Sequence, residues 1–119
     1  MIGPTNTAEA TAAHEGSHVA DREELVSVLT PAMSTDDWLN SKENITQYAT
    51  EFRAYMVGAA VAQGRRESTY NADGYEYWNS GWKEAERDIR VRAGISTLLE
   101  KKYHVASDKP GPRIIEKKK

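Results

Sequence analysis

The segment "KENITQYATEFRAYMVGAAVAQG", residues 42–64, decides the fold. Large apolar side chains recur along it at steps of three and four, the period of an α-helix, at Ile45, Tyr48, Phe52, Tyr55 and Met56. No proline interrupts the segment, Ser41 precedes it as a capping residue, and Gly64 ends it as a glycine stop. We therefore predict one long helix across these residues.

A stripe of small residues, Ala54, Gly58 and Ala62, runs along this helix at intervals of four. Such a stripe lets a neighbouring element approach closely and makes room for large side chains. Downstream, helical spacing continues through Tyr75, Trp78, Trp82, Ala85 and Ile89. We predict a second helix from about residue 73 to 101 or 102, weakened at Gly81 and Gly94, which packs Trp78 and Trp82 onto the small-residue stripe.

The flanking segments carry weaker patterns. Residues 1–20 show no period and predict a disordered arm, whereas "DREELVSVL", residues 21–29, predicts a short helix capped by Asp21 and stopped by Pro31. "STDDWLN", residues 34–40, predicts a single helical turn capped by Ser34 or Thr35. The last segment, "ASDKPGPRIIEKKK", residues 106–119, predicts a flexible basic tail.

The expected fold class is all-α. We predict a long antiparallel helical hairpin over about residues 42–102, with one or two short N-terminal helices packed on it and flexible termini. A chain of 119 residues predicts a single domain, here residues 21–105. The apolar stripes of Leu25, Val28 and Leu29 and of Ile95, Leu98 and Leu99 close either the core of a monomer or the interface of a homodimer.

Composition excludes several classes of protein. No apolar run is long enough to span a membrane, and the N-terminus has neither the basic patch nor the apolar stretch of a secretory signal. The absence of cysteine excludes disulfides and thiolate ligands and is compatible with the cytoplasm, where we expect the protein. Charge is unevenly distributed: residues 1–51 hold nine acidic and two basic side chains, residues 52–119 nine and fourteen. A polyanion would therefore meet the second half.

The stretch "GAAVAQGRRESTYNADGYEYWNSGWKEAERD", residues 58–88, carries a recognisable pattern. A small-residue helix ends in Gly64 and Arg65, a loop contains a tyrosine, and a W-x-x-G-W-x-E motif follows with Trp78, Gly81, Trp82 and Glu84. Over about residues 51–92 the chain resembles the ribosome modulation factor family of bacteria and the related short domains of their phages.

That resemblance implies a helical hairpin that binds the RNA of the small ribosomal subunit and promotes inactive ribosome dimers. The candidate nucleic-acid-binding residues are Arg65, Arg66, Tyr70, Lys83, Arg87 and Arg90. Arginines contact phosphates and exposed tyrosines stack on unpaired bases, although acidic residues are interleaved with these bases. We expect a non-enzymatic interaction protein whose partner is the ribosome or its RNA.

A protein-binding module is the alternative hypothesis, for example a phage-type inhibitor of a host protein complex. In that interpretation the acidic side chains of the first half supply the contact: Asp21, Glu23, Glu24, Asp36, Asp37 and Glu43. A small acidic protein can occupy the basic nucleic-acid site of its target.

The short sequence "HEGSH", residues 14–18, matches H-E-x-x-H, in which two histidines bind zinc and the glutamate acts as general base. A zinc hydrolase also needs a rigid helix and a third converging ligand, and this segment, with Gly16 and Ser17, has little to bury. We predict that the match is coincidental, with adventitious metal binding at His14 and His18 and a zinc enzyme as lesser hypotheses. No other catalytic motif is present, so the sequence predicts no enzyme, no cofactor and no metal site.

Overall fold

The computed structural model describes residues 4–66, 69–72 and 74–116, but not the side chains of residues 4–10, 70 and 72. In chain order its elements are α1 (Pro4–Val28), α2 (Thr35–Leu39), α3 (Gln47–Gly64), β1 (Thr69–Ala72), β2 (Tyr75–Asn79) and α4 (Glu84–Tyr103). The chain is mostly helical, as its sequence predicts. None of the described helices combines the length and the apolar character needed to cross a lipid bilayer.

The long helix α3 forms where its apolar period predicts it. It ends at Gly64, as expected, but it begins at Gln47 with Thr46 as its N-cap, five residues beyond the predicted start. Ser34 caps α2 through a capping box with Asp37, which confirms the predicted single turn.

A two-stranded antiparallel sheet replaces the first part of the predicted second helix. Strands β1 and β2 pair with a register shift between Tyr70 and Asn71, and Gly74 in the connection has a φ of 84°. Glycine adopts this left-handed conformation without the strain that a side chain would impose, which favours a hairpin turn. The prediction that a helix starts at about residue 73 is therefore wrong: Tyr75, Tyr77 and Trp78 lie on a strand, and α4 starts only at Glu84.

The core lies where α3, β2 and α4 meet. Its buried members are Tyr55, Ala59, Ala62, Tyr77, Trp78, Val91, Ile95, Leu98, Leu99 and Val105. Gly58 faces Tyr77, because a Cβ atom there would lie 3.0 Å from the Tyr77 hydroxyl oxygen. The small-residue stripe thus receives Tyr77 at this point, where the sequence had suggested Trp78 and Trp82.

Gly94, where the sequence predicts a weak point of the helix, lies inside α4 and does not interrupt it. A Cβ atom at this position would lie 2.8 Å from the Glu76 carbonyl oxygen and 3.0 Å from the Tyr77 Cα. The glycine therefore allows α4 to cross the backbone of β2 at close range.

Helix α1 covers most of the segment that was expected to be a disordered arm. The prediction that residues 1–20 are unstructured is wrong for residues 4–20, and Asp21 lies inside the helix instead of capping it; residues 1–3 lie outside the described part. Helix α1 packs along α3 and buries Ser17, Asp21 and Leu25. Two of these three are polar, which is why the buried face escapes a search for apolar periodicity.

The C-terminal segment, residues 105–116, packs against the start of α3, so the prediction of a flexible tail is wrong for residues 106–116. The amides of Gln47 and Tyr48 donate to the carbonyls of Pro112 and Pro110 at 2.7 and 2.9 Å. These are first-turn amides of α3, which have no partner within the helix. The C-terminal segment therefore acts as a cap for α3.

Asn44 also contacts the C-terminal segment through its side chain. Its side chain is fully buried, donates to the carbonyls of Leu39 and Ile115 at 3.0 and 3.1 Å, and accepts from the Ile115 amide at 2.7 Å. One amide side chain thus ties the end of α2 to the C-terminal segment.

Candidate functional site

Two histidines and a glutamate converge between α1 and α3. His14 and His18 lie one turn apart on α1, and Glu51 faces them from α3. The Nε2 atoms of His14 and His18 are 3.2 Å apart, and each lies 3.1 Å from the Glu51 Oε1 atom. Their side chains are 16%, 17% and 14% exposed, so the cluster is shielded from solvent without being sealed. We call these three residues the His–His–Glu cluster.

A hydrogen-bond chain orients His18 from behind. Its Nδ1 atom lies 2.8 Å from the Thr50 hydroxyl, and that hydroxyl donates to Asp21 Oδ2 at 2.7 Å. Because the Thr50 hydroxyl has a single proton to donate, it accepts from His18 Nδ1–H. Arg53 pairs with the other oxygen of the buried Asp21 carboxylate, so the chain ends in a fixed ion pair.

The electrostatics of the cluster favour an ionised Glu51. Burial acts to raise the pKa of its carboxyl, but the hydrogen bond that His14 donates and the charges of the two imidazoles outweigh burial, and the pKa lies below its usual value. Tyr55 closes the other side, with its ring edge-on to His14 at a centroid distance of 4.5 Å. Burial and the hydroxyl of Tyr103 raise the pKa of Tyr55, which keeps the phenol neutral.

A cavity of about 240 Å³ opens beside the cluster. His18, Thr50 and Glu51 form one wall, and the remaining lining residues come from α1, the start of α3 and the C-terminal segment: Arg22, Ile45, Gln47, Pro112, Arg113 and Ile114. Glu15, the glutamate of the H-E-x-x-H pattern, is exposed and does not line this cavity. The cavity is large enough for water or a small anion next to His18.

The sequence pointed to His14 and His18 but missed their third companion. Helix α1 holds both histidines and Glu51 converges on them, so the two expectations that spoke against a metal site, the absence of a rigid helix and of a third ligand, are wrong. The missed signal is a stripe of polar residues at helical spacing, His14, Ser17, His18 and Asp21, which continues to Leu25 and faces α3. Glu51 lies 33 residues beyond His18, and no local motif connects the two.

Among the candidate nucleic-acid-binding residues, Arg87 has the most distinctive surroundings. Its guanidinium lies over the Trp78 ring, 5.4 Å from the centroid, and its Nε is buried without a hydrogen-bond partner. Within the described part of the chain, no carboxylate lies at ion-pair distance from Arg87. Both side chains line a groove between α3 and α4, whose other walls are Met56, Ala59, Ala60, Gln63, Glu84, Asp88 and Val91.

Three other basic candidates lie at the C-terminus of α3 or just before α4, the two helices that form this groove. Arg65 caps the C-terminus of α3, Arg66 follows with a φ of 58°, and Lys83 precedes α4; all three are exposed. Arg90 is exposed but forms a 3.5 Å ion pair with Glu86. Tyr70 lies in β1 opposite Trp78, and its side chain is outside the described residues.

The acidic candidates for protein contact are divided among α1, α2 and the segment before α3, and Asp21, Glu24 and Glu43 line one pocket. Asp21 is buried and bonded within the chain, so the expectation that it contacts a partner is wrong. Glu23 and Glu24 are exposed on α1, and Asp36 and Asp37 are exposed on α2, where Asp37 also completes the capping box.

The apolar stripes considered for a homodimer mostly serve the chain itself. Leu25, Ile95, Leu98 and Leu99 are all buried, while Val28 stays 40% exposed. These leucines and the isoleucine close the interior of a single chain.

The comparisons with known proteins identify no relative of the chain. No protein-family model matches the chain, and neither the curated proteins nor the solved structures give a significant match. The resemblance to the ribosome modulation factor family therefore depends on the motif residues alone.

Proposed function

We propose that the protein is a non-enzymatic interaction protein that binds structured RNA, with the ribosome as its target, through the groove between α3 and α4. The single observation that carries the proposal is the placement of Arg87. A guanidinium held over a tryptophan, without a carboxylate partner among the described residues, offers donors to a phosphate or a base. The W-x-x-G-W-x-E resemblance supports the same unit, since its residues lie in β2, at the start of α4 and in the turn between them.

The charges around the groove set the expected strength of binding. Asp88 is neutralised by Arg92 at 3.0 Å, whereas Lys83 and Arg66 carry exposed positive charge close in sequence to the groove residues Glu84 and Gln63. Glu84 remains on the groove wall and opposes a polyanion. We expect binding of moderate affinity that weakens as salt rises, because phosphate contacts release condensed counterions.

The test is co-sedimentation of the purified protein with ribosomes on sucrose gradients at two salt concentrations. The wild-type chain should travel with ribosomal particles at low salt and leave them at high salt. Arg87→Gln should weaken binding about tenfold or more, because a charge-assisted hydrogen bond is lost. Arg22→Gln is the matched control: it removes the same charge from an exposed arginine of α1 that does not line the groove, and it should retain most of the binding.

A protein partner is the other outcome of this experiment. If the chain stays at the top of the gradient at low salt, or if Arg87→Gln and Arg22→Gln behave alike, the RNA proposal fails. Binding should then be sought by pull-down with the exposed acids, comparing wild type with a variant in which Glu23 and Asp36 are replaced by Gln and Asn.

A further inference from the structure

We propose that His14, His18 and Glu51 form a binding site for one zinc ion, or a chemically similar divalent transition metal, with a fourth coordination position open. This inference is independent of RNA binding and concerns the opposite side of α3, where α1 docks. It depends on geometry, on the hydrogen bonds behind the ligands and on the chemistry of the donor set.

The three donor atoms are spaced as a metal ion requires. The distances among His14 Nε2, His18 Nε2 and Glu51 Oε1 are 3.2, 3.1 and 3.1 Å, which is nearly an equilateral triangle. A tetrahedral zinc ion with nitrogen and oxygen ligands at about 2.0–2.1 Å separates those ligands by about 3.3–3.4 Å. The triangle therefore needs to expand by only about 0.2 Å along each edge to hold the ion.

The hydrogen-bond chain prepares His18 for metal binding. Since His18 Nδ1–H donates to Thr50, the proton of the neutral ring is on Nδ1 and the lone pair of Nε2 faces the cluster. A metal-binding histidine usually donates its second ring N–H to an oxygen in this way, which fixes the ring and makes the donor nitrogen more basic. The further link from Thr50 to Asp21 and Arg53 holds the acceptor in place.

When both imidazole rings are neutral, which is the form that binds a metal ion, the same arrangement leaves the cluster short of positive charge. With the lone pair of His18 Nε2 and the Glu51 carboxylate facing each other at 3.1 Å, two acceptors are in contact. His14 Nε2 can offer one hydrogen between them, and both acceptors must share it. A divalent cation at the centre would satisfy all three donor atoms at once.

The donor set selects the class of metal. Two imidazoles and one carboxylate suit zinc and neighbouring transition metals, whereas calcium and magnesium require mostly oxygen ligands. The fourth position would face the cavity beside His18 and Glu51, where a water molecule fits. Because Glu15 does not line this cavity, the structure provides metal binding without the general base of an H-E-x-x-H hydrolase.

A bound metal ion would stabilise the packing of α1 against α3. Helix α1 contributes no member to the main hydrophobic core, and only Leu25 among its described side chains is both apolar and buried. The polar contacts to α3 described above are those of the cluster and of Asp21. An ion that binds two residues of α1 and one of α3 would therefore stabilise the docked helix in proportion to its occupancy.

The experiment is a titration of the metal-free, tag-free chain with Zn²⁺ by calorimetry, together with Co²⁺ as a spectroscopic probe. The wild-type protein should bind one equivalent of zinc, and Co²⁺ should give the intense visible absorption of a low-coordinate site. His14→Ala, His18→Ala and Glu51→Gln should each lower zinc affinity at least tenfold. His104→Asn is the matched control, because His104 is exposed at the end of α4 and asparagine tolerates its left-handed conformation.

Three results would overturn the proposal. One is the absence of saturable binding at one equivalent. Another is wild-type affinity in Glu51→Gln, which would leave only an adventitious pair of histidines on one helix. The third is an equal loss in His104→Asn. Circular dichroism of each metal-free variant checks its folding. If a histidine variant unfolds, Glu51→Gln is the deciding variant, because glutamine keeps the shape of the side chain and one accepting oxygen but removes the negative charge.

Discussion

At the scale of single residues, Thr50 links the packing of α1 on α3 to the proposed metal site. Its hydroxyl accepts from His18 and donates to Asp21, so one small side chain sets the orientation of an imidazole. Valine has the same shape and neither hydrogen bond. Substitution at this position therefore separates the orientation of His18 from the packing of α1 on α3.

We expect Thr50→Val to lower zinc affinity by about 10–100-fold, the usual effect of removing the group that orients a metal ligand. The measurement is the same zinc titration. Thr97→Val, at an exposed position on α4, is the control for the substitution itself and should leave affinity unchanged. Equal affinities in wild type and Thr50→Val would show that His18 does not depend on Thr50 for its orientation.

At the scale of elements, the sequence patterns predicted the helices whose buried faces are apolar. Helix α3 was predicted because its aromatic and aliphatic side chains follow the helical period, and Gly64 marks its end. Residues 21–28 of α1 were predicted as a short helix, but residues 4–20 were missed, because the side chains there that face α3 are mainly histidine and serine, which no hydrophobic pattern detects.

The β-hairpin was missed for a different reason. Tyr75, Trp78 and Trp82 are spaced as on a helix, and that coincidence concealed the turn at Gly74 and the tyrosine-rich strands beside it. For the candidate site, the sequence indicated both histidines, whereas Glu51 required the packing of two helices that are distant in sequence.

A pair of glycines tests the packing of the elements. Gly94→Ala should lower the free energy of unfolding by about 2 kcal/mol, because the new methyl group meets the backbone of β2, which cannot move aside like a flexible side chain. Gly16→Ala should instead raise it by about 0.5–1 kcal/mol, since nothing lies within 4 Å of the added Cβ and alanine favours the helix.

Urea denaturation of both variants measures the two effects. If Gly94→Ala is as stable as wild type, α4 does not approach β2 as closely as the structure shows. If Gly16→Ala fails to stabilise the chain, the part of α1 around residue 16 does not contribute its helical structure to the folded state.

At the scale of the whole molecule, the C-terminal segment closes the fold around the start of α3. It supplies the carbonyls of Pro110 and Pro112 to the first turn of α3 and both backbone groups of Ile115 to Asn44. Its proline-rich composition suggested a flexible tail, because composition does not reveal that carbonyl groups, which proline retains, are the groups in use.

Ending the chain after Asp108 should therefore destabilise it by about 3 kcal/mol or more, since two capped amides and the buried Asn44 side chain lose their partners. Ending it after Glu116 keeps these contacts and serves as the control. Thermal unfolding of the two truncated chains gives the comparison, and equal melting temperatures would contradict the capping role.

The cap on α3 also bears on the order in which the chain folds. Asn44 and Ile115 are 71 residues apart, so during synthesis α3 leaves the ribosome long before the segment that completes its first turn. The nascent helix would extend from its middle and C-terminal part, and the amides of Gln47 and Tyr48 would stay hydrated until the prolines arrive. Formation of this long-range contact is thus expected among the last steps of folding, after the core between α3 and α4 has closed.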